Sequence, residues 1–277
     1  MNKNEGRSGM PLYFAPMEGL TGYTFRGLHH AMFPGADRYY APFVSVGKEC
    51  TLQNREKTDI DPANNAGIPL IPQVLTNQPD AFLWACRFMA ALGYEEVNLN
   101  LGCPSNTVTA RRKGAGFLAD PDALDRFFER VFDGLALWRQ EEGRAVRISV
   151  KTRAGVRESS ESGALCALYN RYPISEVIVH PRVQKQMYGG EADLECFAGF
   201  LESSIHPVVY NGDIRTVEDY RRILRLFGER TISGIMIGRG LLANPALIRE
   251  IRAQVHSPAP AEQSAAASRG NAADAGC

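Results

Sequence analysis

Short apolar runs return at intervals along the chain: Leu12–Pro16, Arg38–Val46, Ile68–Leu75, Glu95–Leu101, Val146–Thr152, Glu176–His180, Pro207–Asn211 and Gly234–Ile237. Each is short and bounded by turn-forming or polar residues, the pattern of a strand buried on both faces. Between them lie Asp80–Leu92, Asp120–Gln140, Ser159–Tyr172, Leu194–Leu201 and Thr216–Phe227, which carry apolar positions at helical spacing and capping or acidic residues near their starts. Alternation of strand and helix predicts a parallel sheet, and eight repeats of it favour closure over an open doubly wound sheet. No GxGxxG follows the first strand, which removes the dinucleotide fingerprint of the open alternative. The expected fold is α/β, a (β/α)8 TIM-type barrel over residues 11–253, with disordered ends at 1–10 and 254–277.

Composition sharpens this picture in three ways. A chain of 277 residues suits one barrel, since that fold runs to about 250 residues as a single domain. Lys plus Arg and Asp plus Glu both total 31, so nothing global commits the protein to nucleic acid or membrane, and any anion site must be a local patch. The six cysteines form no CxxC pair, which argues against a disulfide framework or zinc and for a reducing cytoplasm; no metal is implied. Neither an apolar signal core nor a stretch of about 18 apolar residues is present, so a soluble cytoplasmic protein is expected. Ser257 to Cys277 is rich in Ala, Ser, Pro and Gly, lacks aromatics and holds a single basic residue, Arg269, a composition of disorder.

In a barrel the site lies at the carboxyl ends of the strands. Here those ends read Pro16-Met17-Glu18, Gln73, Asn100 to Cys103, Lys151 with Arg153, His180 with Arg182, Asn211-Gly212-Asp213 and Gly238-Arg239-Gly240. Any one of these is unremarkable alone; their recurrence at equivalent positions is the signal. Asn98 and Asn100 share one side of their strand, and Gly102 with Pro104 forces a turn that presents Cys103 instead of packing it. The glycines after the seventh and eighth strands, with Arg239 among them, suit a phosphate.

With these residues the chain resembles the tRNA-dihydrouridine synthase family over about residues 11–253. The likeness rests on Ala15-Pro16-Met17-Glu18-Gly19 followed by Thr21 to Arg26, and on Asn100-Leu101-Gly102-Cys103-Pro104-Ser105 followed by Gly114-Ala115-Gly116. Lys151-Thr152-Arg153, His180-Pro181-Arg182, Asn211-Gly212-Asp213-Ile214 and Gly238-Arg239-Gly240 complete it, all in family order. The resemblance implies FMN at the barrel mouth, touched by the backbone of Pro16, Met17 and Glu18, by Gln73 and Lys151 at the ring, by His180, and at the phosphate by Asn211, Gly212, Asp213, Gly238 and Arg239. It implies NADPH, or NADH, as reductant, tRNA as the partner of a monomer, and reduction of a uridine C5=C6 bond with hydride to C6 from the flavin and a proton to C5 from Cys103. A thiol near its ordinary pKa of about 8.5 is protonated at neutral pH and can donate. Asn100 would hydrogen-bond the base, Arg153 and Arg182 would face the uracil carbonyls or a phosphate, and Arg111-Arg112-Lys113 would meet the tRNA backbone.

Two departures stand out. Val183-Gln184 follow Arg182 where many members have Thr-Arg, and the helical domain that usually follows the barrel is missing from the pattern after residue 253. Competing readings are a flavin barrel acting on a free pyrimidine or small enone, and a tRNA- or FMN-binding remnant without catalysis. A non-redox phosphate-binding isomerase fits worst, because no carboxylate stands where a general base is needed.

Overall fold

The computed structural model describes residues 9–228 and 231–255. Among the described residues ten parallel strands appear: β1 Leu12–Phe14, β2 Arg38–Tyr40, β3 Val44–Ser45, β4 Leu70–Ile71, β5 Gln73–Leu75, β6 Glu96–Leu101, β7 Arg147–Gly155, β8 Glu176–Val183, β9 Val208–Tyr210 and β10 Gly234–Ile237. They occupy the eight expected positions, because β2 with β3, and β4 with β5, are single runs interrupted by proline. Pro42 and Pro72 have no N–H to give to a ladder, so the pairing breaks at each. The pairing continues on either side, β2 with β4 and β3 with β5, and β10 pairs with β1, which pairs with β2. With β5–β6–β7–β8–β9–β10 in order between them, the circuit closes into a barrel.

The helices are α1 Tyr23–Met32, α2 Asn54–Ile60, α3 Pro79–Ala91, α4 Asn106–Thr109, α5 Pro121–Glu142, α6 Ser162–Tyr169, α7 Leu194–Ser203, α8 Val217–Phe227, α9 Arg239–Ala243 and α10 Leu247–Val255. Those starting at α3, α5 and α8 use proline at the first turn, an Asp120 cap and a Thr216–Asp219 capping box. Helix α1 has no such local signal: its first N–H is taken by Asp59 Oδ1, 36 residues later, at 2.6 Å. Buried side chains divide into two layers. One fills the space between strands and helices. The other, Tyr13, Ala15, Tyr40, Ile178, Val209 and Met236, sits inside the barrel.

The amino end of the barrel interior is plugged by charge. Glu176 accepts from Tyr13 Oη at 3.0 Å, Tyr40 Oη at 3.3 Å and Arg38 Nη1 at 3.3 Å. Glu96 Oε2 faces Arg147 at 3.4 Å and Arg38 at 3.6 Å, while its Oε1 is buried without a hydrogen-bond partner among the described residues. Met10, expected in the terminal segment, is 3% exposed and its carbonyl accepts from Arg252 at 2.9 Å; α10 runs two residues past 253. Residues 1–8 and 256–277 of the expected disordered ends lie outside the described residues. No helix among the described residues is long and apolar enough to cross a membrane.

Candidate active site at the carboxyl end of the barrel

A cavity of about 930 Å³ opens at the carboxyl ends of the strands, within the size range of small-molecule and cofactor sites. Its wall brings together Pro16, Met17, Glu18, Gln73, Asn100, Cys103, Arg111, Lys113, Lys151, Arg153, His180, Asn211, Gly212, Asp213, Gly238 and Arg239, as the sequence predicts. Two predicted residues do not reach it. Arg112 points to the exterior beside Asp120, at 4.0 Å, and Arg182 lies beneath the wall, 1% exposed.

The turn at Cys103 is built by its own neighbours. Asn100 Oδ1 accepts from the backbone N–H of Gly102 at 3.1 Å and of Cys103 at 2.9 Å, fastening the chain as it leaves β6. The downstream glycines then close over it. Ala115 N–H donates to the Cys103 carbonyl at 3.0 Å. Gly114, at φ +56°, would place a Cβ 2.8 Å from that same carbonyl, and a Cβ on Gly116 would lie 2.7 Å from Thr109 Cα. The spacing between the Cys103 motif and the glycine pair is thus a packing requirement. Burial pushes the Cys103 thiol up, against the lowering influence of the Ser105 backbone, Arg153 and Lys151, so the thiol stays protonated at neutral pH.

The first motif has a similar local logic. Thr21 Oγ1 accepts from Met17 N–H at 2.9 Å and locks the turn after β1. Arg26, fully buried, then ties that turn to the far side of α2 through the Thr21 carbonyl, Asp59 and Asn65.

Gln73, Asn98 and Asn100 join by side-chain amides: Gln73 Nε2 donates to Asn98 Oδ1 at 2.7 Å, and Asn100 Nδ2 donates to Gln73 Oε1 at 2.7 Å. His180 Nδ1 lies 2.6 Å from the Asn211 carbonyl, so that nitrogen carries the proton and Nε2 is the acceptor, 3.5 Å from Arg182 Nη1. Burial, followed by Lys151 and Arg153, holds His180 well below its ordinary pKa, and the ring is neutral. Burial, followed by Arg153, brings Lys151 down to about 7. Arg153 is held by the Gly102 carbonyl at 2.8 Å and the Val183 carbonyl at 3.1 Å, which places its charge behind the Cys103 turn.

At the glycine loops Asp213 accepts from Arg182 Nη2 and, at 3.0 Å, from Arg239 Nη2. Arg182 also donates to the carbonyls of Gly189 at 3.1 Å and Gly190 at 2.6 Å, so its guanidinium is spent on holding the β8 loop in place. The loops interlock because a Cβ on Gly240 would lie 2.0 Å from the Ile214 carbonyl. Sequence reasoning missed Tyr188, 56% exposed on the wall and flanked by the guanidinium groups of Arg153 at 5.4 Å and Arg239 at 5.3 Å. The Gly189-Gly190 pair beside it, a turn signal after β8, is the feature that could have drawn attention to it. Overall the wall carries six basic side chains (Arg111, Lys113, Lys151, Arg153, Arg215, Arg239) against two carboxylates (Glu18, Asp213), a local cationic patch in a chain of zero net charge.

Known proteins share this sequence along most of its length. The sequence matches the family described as dihydrouridine synthase (Dus) over residues 13–274. It is 32% identical to the tRNA-dihydrouridine(16) synthase of Pseudomonas syringae pv. tomato, covering 88% of this chain and 75% of that protein. It is 28% identical to the probable tRNA-dihydrouridine synthase of Rhodobacter capsulatus over 90% of this chain and 73% of the relative. Among solved structures, morphinone reductase superposes with a TM-score of 0.59 at 11% identity over 88% of this chain and 86% of that one, a likeness of fold. With the match extending over nearly all of the barrel, the chain belongs to the dihydrouridine synthase family.

Proposed function

We infer that this protein reduces the C5=C6 bond of a uridine in tRNA to 5,6-dihydrouridine, with FMN as its bound redox group and NADPH as reductant. The observation that carries the reading is Cys103, fixed by Asn100 and Ala115 at the wall of a cavity whose charge is six basic groups to two acidic ones. The cavity fits an anionic cofactor. Glycine is required where the backbone must come close: a Cβ on Gly238 would stand 3.3 Å from Ala15 Cβ and 3.7 Å from Met17 Sδ, both on the wall that Arg239 shares, while one on Gly212 would meet Tyr210 Oη at 2.7 Å behind that wall and push the loop out of place. Arg239, with the backbone of Gly212, Asp213 and Gly238, would hold the phosphate, and Gln73, Lys151 and His180 would face the ring. When bound, FMN supplies the hydride delivered at C6.

The chain's own residues do the rest. Cys103 holds the proton destined for C5, and Asn100 and Arg153 keep the Cys103 turn in place from below. Lys151, near neutrality in its pKa, supplies a cation wherever negative charge develops beside it. Arg111 and Lys113 on the wall meet the tRNA backbone, and Tyr188, exposed on the same wall, adds an aromatic surface beside Arg153 and Arg239. The uridine must leave its stack to enter, as bases do for other base-modifying enzymes.

Incubating the purified protein with FMN, NADPH and unmodified tRNA, then digesting the RNA to nucleosides for mass spectrometry, tests this reading. Dihydrouridine should accumulate. Turnover of free uracil or dihydroorotate with none on tRNA would replace it with a small-pyrimidine oxidoreductase.

A further inference from the structure

Asn98 and Ser149 do not line the cavity, yet both are polar and fully buried inside the barrel. The register aligns Gln73 with Asn98 and Asn98 with Ser149 across three neighbouring strands. Their side chains form a chain whose direction is set at one end by the backbone. The N–H groups of Gly102 and Cys103 can only donate, so the Asn100 atom between them, at 3.1 and 2.9 Å, is the oxygen. Its Nδ2 must then point to an acceptor, Gln73 Oε1 at 2.7 Å. That turns Gln73 Nε2 toward Asn98 Oδ1 at 2.7 Å, which turns Asn98 Nδ2 toward Ser149 Oγ at 2.9 Å.

We propose that Asn98 and Ser149 are positioning residues for Cys103: the run Ser149–Asn98–Gln73–Asn100 fixes the orientation of three amides and so fastens the Cys103 turn at its two leading N–H groups. If Asn98 lost its amide, Gln73 Nε2 would become a buried donor without its acceptor, and Gln73 would shift to find another partner. Asn100 Nδ2 would then lose Gln73 Oε1, leaving the amide held only by the two backbone N–H groups it fastens, so the turn loosens. A corollary concerns ligands. Asn100 Oδ1 is filled by two donors, so what Asn100 offers the cavity is one N–H, and the ligand atom beside it must be an acceptor such as a carbonyl oxygen.

The inference rests on the functional reading only in treating Cys103 as the acting thiol, and its test does not need turnover. Flavin-free protein is alkylated with iodoacetamide across a pH series, and modification of Cys103 is followed by peptide mass spectrometry alongside a thermal melt. Asn98→Leu should speed Cys103 alkylation at neutral pH by ~5-fold or more and move its pH midpoint down, because the released thiol sheds the burial that raises it. Asn98→Asp retains an acceptor for Gln73 and can take the Ser149 hydroxyl, so it should stay within about twofold of the wild type. Ser149→Ala, the milder break, should fall between them and serves if Asn98→Leu does not fold. In turnover, the breaking variants should lose kcat with little change in KM for tRNA. Cys103 rates equal to wild type in both Asn98→Leu and Ser149→Ala, whatever the melting temperature, would overturn the proposal, as would Asn98→Asp behaving like Asn98→Leu.

Discussion

The two ends of the barrel interior both bury charge, and they do it in opposite ways. At the amino end two cations, Arg38 and Arg147, face two carboxylates, Glu96 and Glu176, and tyrosine hydroxyls from β1 and β2 complete the bonding. At the carboxyl end six basic groups face two acidic ones around open space. A charge set that neutralises itself is structure, because each carboxylate already faces an arginine. A set left with one sign in excess is waiting for a ligand of the other sign. The titration of the two ends carries the same lesson: burial raises Glu176 to about 7 and lowers Lys151 to about 7, but the first is offset by Arg38 whereas the second is driven further by Arg153.

The sharpest way to break the comparison is to show that chemistry depends on the wrong end. Cys103→Ala should slow uridine reduction by ~10²–10⁴-fold, the usual range for removing a general acid, while leaving urea unfolding unchanged. Glu176→Ala should do the reverse. It leaves two buried hydroxyls without an acceptor and Arg38 with Glu96 alone, and should cost ~3–5 kcal/mol in a urea titration, with the cavity chemistry intact in the folded fraction. Arg239→Ala should weaken FMN binding by ~10–100-fold, measured by fluorescence quenching, since it removes a charge-assisted contact to the phosphate.

The smallest effects are in pH. Glu176 binds its proton more tightly folded (about 7) than unfolded (4.5), so its contribution to stability is full below 4.5 and is lost as pH rises through 7. Lys151 binds its proton less tightly folded (about 7) than unfolded (10.5), so its penalty is full below 7 and disappears as pH rises toward 10.5. Melting temperature against pH should therefore lose its fall between 4.5 and 7 in Glu176→Gln, and its rise between 7 and 10.5 in Lys151→Met, relative to wild type. Slopes that remain in both variants would place the titrating groups elsewhere.

How legible these features were in the sequence follows from the range of the forces that make them. All eight strand positions and the helices after β5, β6, β7, β8 and β9 were readable, because apolar periodicity and caps are local. Helix α1 was not, since its cap arrives from Asp59. Position along strands placed Gln73, Asn100, Lys151 and His180 at the cavity, because alternation fixes which side chains face inward. It could not tell Arg153 and Arg182 apart: both point inward two residues past a site residue, but Arg153 reaches the wall and Arg182 is consumed by Asp213 and two loop carbonyls. Nor could it find Tyr188, which belongs to a loop with no period. Asn100, read from its motif as a contact to the base, has its oxygen committed to the Cys103 turn, a bond that only the folded backbone reveals.

The central claim, that the carboxyl end does the chemistry and the amino end only holds the barrel, is tested most directly by one half-reaction. FMN-loaded protein is reduced with NADPH in the absence of oxygen, mixed with unmodified tRNA, and followed by the return of flavin absorbance. Wild type and Glu176→Gln should reoxidise at the same rate, and Cys103→Ala should be slower by ~10²-fold or more. Reoxidation of Cys103→Ala at the wild-type rate, or an equal loss in Glu176→Gln, would contradict the account.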